Sequence, residues 1–161
     1  MMKITVLDPV PVVTQSRSQR LTKPALEIET ALYGITLLRV SLGLLFLAHG
    51  FLKVVVFTLP GTAQFFTTMG LPGFMAAPVA LAEIVGGLFL IAGIYSRWIA
   101  LGLFPILLVA TFKVHGGNGW LFTNQGGGWE FPAFFAIACL VQFLLGNGAW
   151  AMGEILPRKR T

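Results

Sequence analysis

The chain has little charge and almost no cysteine. Only 11% of its 161 residues are charged, 56% are hydrophobic, and the mean hydropathy is +0.83. A soluble protein of this size needs more polar surface than such a composition supplies. The composition therefore excludes an ordinary soluble domain and predicts an integral membrane protein.

The sequence also lacks the motifs of several function classes. Cys139 is the single cysteine, which excludes an internal disulfide, and its apolar neighbours predict that it packs inside a helix. No Walker loop, dinucleotide fingerprint or zinc-ligand spacing is present, so neither a nucleotide cofactor nor a metal is expected. The net charge is +5, but the basic residues flank apolar segments and do not build one face, so nucleic acid is not expected as a partner.

Four apolar stretches make up most of the sequence. They cover about residues 32–57, 74–95, 98–114 and 131–152. A helix needs about 20 residues to cross a bilayer, and each stretch approaches that length. Only a few residues around Ser96 join the second and third stretches, which predicts an antiparallel hairpin. The predicted fold is all-α, an integral membrane four-helix bundle that forms one domain over residues 31–153.

Three segments outside these stretches receive separate predictions. Residues 1–30 are polar and predict a mobile cytosolic arm with at most one helical turn near 27–30, and residues 154–161 predict a basic cytosolic tail. Residues 62–69 lie between two Pro-Gly pairs and predict a short amphipathic helix at the outer interface, above the bundle. Positive charges on three segments predict that both termini are cytoplasmic. These charges are Arg17, Arg20, Lys23, Arg97, Arg158, Lys159 and Arg160.

Charged groups inside the apolar stretches are the first candidates for function. Glu83 is the only charged residue between Val54 and Ser96, and an ionisable group at this depth costs about 2.5–3.5 kcal/mol even on the lenient insertion scale. Arg39 is the expected counter-ion, and Gln142 is expected at a similar level. We therefore predict a buried network that forms the floor of a cavity open to the outer face, with Arg39 and Glu83 in the catalytic role.

A second polar group lies at the predicted outer end of the same helices. The expected substrate-binding residues are His49, Lys53, Lys113, His115, Glu130 and Gln142. Each has a structural alternative: Arg39 and the lysines can reach lipid headgroups, Gln142 can hold two helices together, and Glu130 suits a helix N-terminus. Two histidines can also ligate haem from opposite sides, but neither lies in a specific signature, so haem is not favoured.

The same residues resemble the DoxX family of small bacterial membrane proteins. The resemblance covers about residues 32–150 and is carried by five segments. These are Leu38–Arg39 with residues 44–53, Met69–Pro72, Ala82–Gly93 with Ser96–Arg97, Val114–Gly119, and Gly128–Pro132. It implies the four-helix fold and the bacterial cytoplasmic (inner) membrane. It also implies a link to quinone chemistry and oxidative stress, often beside a soluble redox partner.

The leading hypothesis is a redox-associated membrane subunit that binds a quinone or a similar lipophilic molecule. His49, Lys53 and His115 are expected to donate hydrogen bonds to the ring carbonyls, and Arg39 with Glu83 to handle protons. No covalently bound cofactor is expected, and a soluble or membrane partner is expected to deliver electrons. One alternative is a non-catalytic scaffold or assembly factor whose glycine faces and flexible loop dock a larger complex. The other is a small-molecule carrier that would work as a homo-oligomer. Membrane lipid is a partner in every case.

Overall fold

The computed structural model describes the secondary structure of residues 17–155 and the side chains of residues 27–153. Regular structure within this part of the chain is helical throughout. The α-helices are α1 (Arg17–Phe51), α2 (Leu59–Thr68), α3 (Ala76–Ala92), α4 (Ser96–Val109), α5 (Glu130–Leu145) and α6 (Met152–Ile155). Helix α1 continues as a π-helical turn (Leu52–Val56) and α4 as another (Ala110–Val114), and 3₁₀ turns cover Gly73–Met75 and Gly116–Asn118.

Three of the helical segments are long and apolar enough to cross a membrane. They are Glu27–Val56, Gly73–Ala92 and Ser96–Val114, and α5 is a shorter apolar helix. The all-α prediction and the short helix between the first two spans are confirmed, since α2 covers the segment in which that helix was expected.

Two predicted helix ends are wrong. Helix α1 begins at Arg17, so a long helix replaces the single turn expected near residues 27–30; extending an existing helix into polar residues requires no new nucleation. Residues 1–16, the rest of the predicted arm, and residues 156–161 of the predicted tail lie outside the described residues. Helix α5 ends at Leu145, not near 152, because Gly146 and Gly148 adopt positive φ angles of 92° and 72° that a helix cannot contain.

The four apolar helices pack in a ring. Helix α1 contacts α3, α3 contacts α4, α4 contacts α5, and α5 returns to α1. The buried core between them comprises Leu42, Phe46, Leu90, Ala100, Leu103, Leu107, Phe135, Ala136 and Cys139. Apolar residues elsewhere on the helices, such as Leu37 and Leu88, are exposed on the outer surface of the ring, as a lipid-facing surface requires.

Glycine residues allow the backbones of α1 and α3 to approach each other closely. A Cβ atom added to Gly43 would lie 2.7 Å from the carbonyl oxygen of Gly87, and one added to Gly50 would lie 3.1 Å from that of Ala80. Membrane helices gain close packing where small residues let their backbones approach. These contacts fix how far α3 is shifted along α1.

Polar contacts close one end of the bundle. The Thr36 hydroxyl donates to the carbonyl oxygen of Ala149 at 2.7 Å, and Arg39 Nη2 donates to the same oxygen at 3.4 Å. The Ala149 amide in turn donates to the carbonyl oxygen of Leu32 at 3.2 Å. The segment after α5 therefore folds beneath α1 at this end, which we call the Arg39 end.

Candidate functional site

A buried ion pair lies toward the opposite end of the bundle, which we call the Lys53 end. The Lys53 ammonium donates to both carboxylate oxygens of Glu83, at 2.9 and 2.7 Å. The Glu83 side chain is only 4% exposed and that of Lys53 18%. The Lys53 ammonium also lies 3.4 Å from the carbonyl oxygen of His49, so each of its three hydrogens has a protein acceptor.

The predicted pairing of Glu83 with Arg39 is wrong. Arg39 is buried, at 2% exposed, but it lies toward the other end of the bundle and donates to Ala149. The glycine contacts place Glu83 level with about Leu47, eight residues from Arg39 and six from Lys53 along α1.

The direction of the side chains decides between the two cations. A helical Cα–Cβ bond tilts toward the helix N-terminus. Helices α1 and α3 are antiparallel, so the Glu83 side chain tilts toward the Lys53 end while the Lys53 side chain tilts back toward Glu83. The Arg39 side chain tilts away from both. The stems of Lys53 and Glu83 therefore converge, and those of Arg39 and Glu83 diverge.

The predicted network with Gln142 is not formed either. Gln142 is fully buried, and its Nε2 donates to the carbonyl oxygen of Gly146 at the end of its own helix. This bond satisfies a carbonyl just beyond the point where α5 ends. Gln142 is thus a helix-capping residue, and Arg39 and the Lys53–Glu83 pair belong to two separate polar sites, one toward each end of the bundle.

Each of the two histidines is held by a backbone carbonyl group. His49 Nδ1 is 2.8 Å from the carbonyl oxygen of Leu45, and its ring lies 6.2 Å from those of Phe131 and Phe135. His115 Nδ1 is 2.9 Å from the carbonyl oxygen of Gly127. A carbonyl oxygen can only accept, so Nδ1 is the protonated nitrogen in each ring.

A cavity of about 720 Å³ connects these residues. His49, Lys53, Thr62, Glu83 and His115 are its polar side chains, and the rest of its wall is apolar or glycine. Helix α2 packs on the π-helical turn after α1 and on α3, and it covers one side of the cavity, while α4 and α5 form the opposite wall. The cavity wall thus contains an ion pair, with Lys53 in the place expected for Arg39.

Three predicted binding residues lie away from this cavity: Gln142, described above, Lys113 and Glu130. Lys113 is exposed and does not line it. Glu130 begins α5, where its Oε1 accepts a hydrogen bond from the Phe122 amide at 2.8 Å, so it fixes the loop before the helix. Glu130 borders a separate, open depression of about 460 Å³ with Trp120, Phe122, Phe131 and Phe134.

Sequence reasoning missed Thr62. Its side chain is buried, and its hydroxyl donates to the carbonyl oxygen of Lys53 at 3.0 Å. This bond ties α2 to the π-helical turn that contains Lys53. The four-residue spacing of the buried residues Thr62 and Phe66 on α2 was the signal that could have revealed it.

The described side chains contain no group of three or more His, Cys, Asp or Glu that could hold a metal ion. The polar groups of the cavity can form hydrogen bonds and exchange protons. Their apolar surroundings match the usual form of small-molecule sites, in which a few polar groups orient a largely apolar ligand.

Comparison with known proteins identifies the family. The DoxX family model matches residues 34–116. The Escherichia coli protein named "Inner membrane protein YqjF" is 30% identical over 135 residues, which cover 78% of this chain and 94% of that protein. A Haemophilus influenzae protein is 31% identical over 128 residues, 79% of this chain and 93% of that protein.

A third relative has a name that describes an activity. The Bacillus subtilis protein named "Putative oxidoreductase CatD" is 40% identical over 76 residues, 47% of this chain and 54% of that protein. The chain thus matches about half the length of this relative. No solved structure matches. The family match covers half of the chain, and it includes Arg39, His49, Lys53, Glu83 and His115; this chain belongs to the DoxX family of membrane proteins.

Proposed function

We propose that this protein is a redox-associated subunit of the bacterial inner membrane that binds a quinone or a similar lipophilic molecule in the cavity at the Lys53 end. In this proposal α1, α3, α4 and α5 are four membrane spans. Arg97 and the basic start of α1 lie at the Arg39 end, so the positive-inside rule orients that end toward the cytoplasm. The cavity then opens on the periplasmic side.

The cavity is the observation that carries the proposal. Its volume of about 720 Å³ lies in the range of roughly 300–1,000 Å³ that is common for small-molecule sites. Apolar side chains at its edge are exposed: Phe57 by 58%, Phe65 by 44% and Met75 by 40%. An apolar rim at this level of a membrane helix favours a ligand that is dissolved in the bilayer over one that is dissolved in water.

The ion pair supports a role in proton exchange. A buried lysine and glutamate are expensive to place in a membrane and are retained there mainly for function or helix registry. Oxidation of a quinol to a quinone releases two protons and two electrons. Glu83 and the two histidines can accept protons, and we propose that a partner protein takes up or supplies the electrons, in keeping with the name of the Bacillus subtilis relative.

The alternative scaffold function is less well supported. It relied on glycine surfaces free to dock another protein, but the α1 and α3 glycines are used within the chain, Gly43 against Gly87 and Gly50 against Ala80. Gly86 contacts Leu103 of α4 in the same way. These surfaces are therefore not available for a docking partner.

The proposal is tested by extraction of the purified protein, followed by mass spectrometry of the lipophilic extract. We expect a quinone or a related aromatic molecule in near-stoichiometric amount from the wild type. Val79→Trp places a large ring in the cavity and should abolish recovery, whereas Val85→Trp, on the lipid-facing side of the same helix, should not. Equal recovery from the two variants would place the molecule outside the cavity and refute the proposal.

A further inference from the structure

The hydrogen-bond donors of the cavity side chains are all used within the protein. The three Lys53 hydrogens are directed at Glu83 and the carbonyl oxygen of His49. The Thr62 hydroxyl hydrogen is directed at the carbonyl oxygen of Lys53. The Nδ1 hydrogens of His49 and His115 are directed at backbone carbonyl oxygens as well.

The groups that remain for a ligand are acceptors. In a neutral imidazole whose Nδ1 carries the hydrogen, Nε2 presents a lone pair, so His49 and His115 each offer one acceptor. Each Glu83 oxygen accepts one bond from Lys53 and keeps a further lone pair, and the Thr62 oxygen does the same after donating its hydrogen. The expectation that His49, Lys53 and His115 donate to quinone carbonyls is therefore reversed by this arrangement.

We infer that the cavity selects a ligand that brings its own hydroxyl donors, a phenol or the reduced hydroquinone form, over the corresponding quinone. This inference rests on the proposed function and defines which oxidation state of the ligand is bound. A hydroquinone hydroxyl meets a lone pair on Nε2 or on the carboxylate and forms a hydrogen bond. A quinone carbonyl offers only lone pairs, so it gains no donor from the cavity side chains and remains an unpaired acceptor, which is unfavourable.

The hydrogen bonds of the two histidines keep Nε2 available as an acceptor for the ligand. Each Nδ1 bond fixes the ring orientation and the tautomer, as a carbonyl partner does for histidines that use Nε2 as an acceptor toward a ligand or metal. The Gly127 carbonyl that holds His115 also accepts a bond from Asn118 Nδ2 at 2.9 Å, so its position is set by the loop as well. Reversal of the tautomer would break a bond to the backbone at each ring.

The test compares three probes of matched tail length on the protein in lipid nanodiscs, with empty nanodiscs as the partition blank. The probes are decylhydroquinone under anaerobic reducing conditions, decylbenzoquinone, and the di-O-methyl ether of the hydroquinone. Binding is measured by calorimetry at pH 8. Two hydrogen bonds of ordinary strength correspond to about tenfold to a hundredfold tighter binding, which we expect for the hydroquinone over both other probes.

Single variants test which residues cause the preference for the hydroquinone. His49→Phe and His115→Phe each remove one acceptor and should lower the preference for the hydroquinone about three- to tenfold, while binding of the ether stays the same. Lys113→Gln, in the exposed turn just before His115, serves as the control and should keep the wild-type preference. Because the preference is a ratio measured on one protein sample, a loss of folded protein does not imitate this result.

The outcomes separate this inference from the proposed function. Quinone binding that equals or exceeds hydroquinone binding would overturn the inference and leave the proposed function in place. Absence of binding of all three probes would overturn both. A stoichiometric metal or a Soret band in the purified protein would assign the free Nε2 atoms to a metal and overturn the inference.

Discussion

The buried ion pair makes a quantitative prediction about stability. Removal of one partner of a buried pair leaves an uncompensated charge and destabilises a protein by about 3–5 kcal/mol, whereas replacement of both partners by residues of similar shape is far less destabilising. Glu83 is almost fully buried and Lys53 largely so, and their atoms are 2.7 Å apart. Lys53→Met and Glu83→Gln keep the approximate shape of each side chain while they remove its charge.

We expect each single variant to lose about 3 kcal/mol of unfolding free energy and the double variant to lose clearly less than the sum, with a coupling of about 2–3 kcal/mol. The assay is reversible unfolding in mixed micelles with an increasing fraction of sodium dodecyl sulfate, followed by circular dichroism. Lys113→Met removes an exposed cation from the same end of the bundle and should change stability by no more than about 0.5 kcal/mol.

Additive single effects would refute the reasoning, because they would mean that the two groups do not stabilise one another in the folded protein. Stronger coupling of Glu83 to Arg39 than to Lys53, measured in a parallel cycle, would also refute it. That result would restore the pairing that the sequence alone suggests.

The other predictions concern packing. Gly87→Ala should lower stability by about 1–3 kcal/mol in the same unfolding assay, since the new Cβ would lie 2.7 Å from a carbonyl oxygen of α1. Gly102→Ala should raise stability by up to ~1 kcal/mol, because alanine favours the helix over glycine and no atom within 4 Å opposes the new Cβ. Gly93→Ala should destabilise by at least about 1–3 kcal/mol, because Gly93 has a φ of 74° and a Cβ there would overlap the Arg39 guanidinium; an unchanged unfolding curve would contradict this packing. Cys139 is fully buried, so a maleimide should label it only after denaturation, and rapid labelling of the folded protein would show that the core is more open than described.

The sequence predicts the helices well because their signal is local. An apolar stretch of sufficient length has few alternatives to a membrane helix, and glycine at Gly43 and Gly87 indicates close helix contacts without any knowledge of the partner. The isolated carboxylate of Glu83 is evident for the same reason, because an unpaired charge in such a stretch is costly.

The partner of Glu83 depends on information that a helical wheel does not contain. A wheel places Arg39 and Lys53 on one face of α1, but the choice between them depends on how α3 is shifted along α1 and on the tilt of each side chain. The sequence also does not show that His115 Nε2 is an acceptor, since this depends on a contact between His115 and the distant loop residue Gly127. The early end of α5 depends on backbone angles at Gly146 that composition does not specify.

The contact between Ala149 and the first membrane helix has a consequence for biosynthesis. Thr36 is translated 113 residues before Ala149, whose carbonyl oxygen accepts its hydrogen bond, so this contact forms only when nearly the whole chain has been made. A polypeptide that is interrupted after the third apolar helix leaves Thr36 and Arg39 without this acceptor inside the bilayer. The contacts made by Ala149 therefore distinguish a finished molecule from an arrested one.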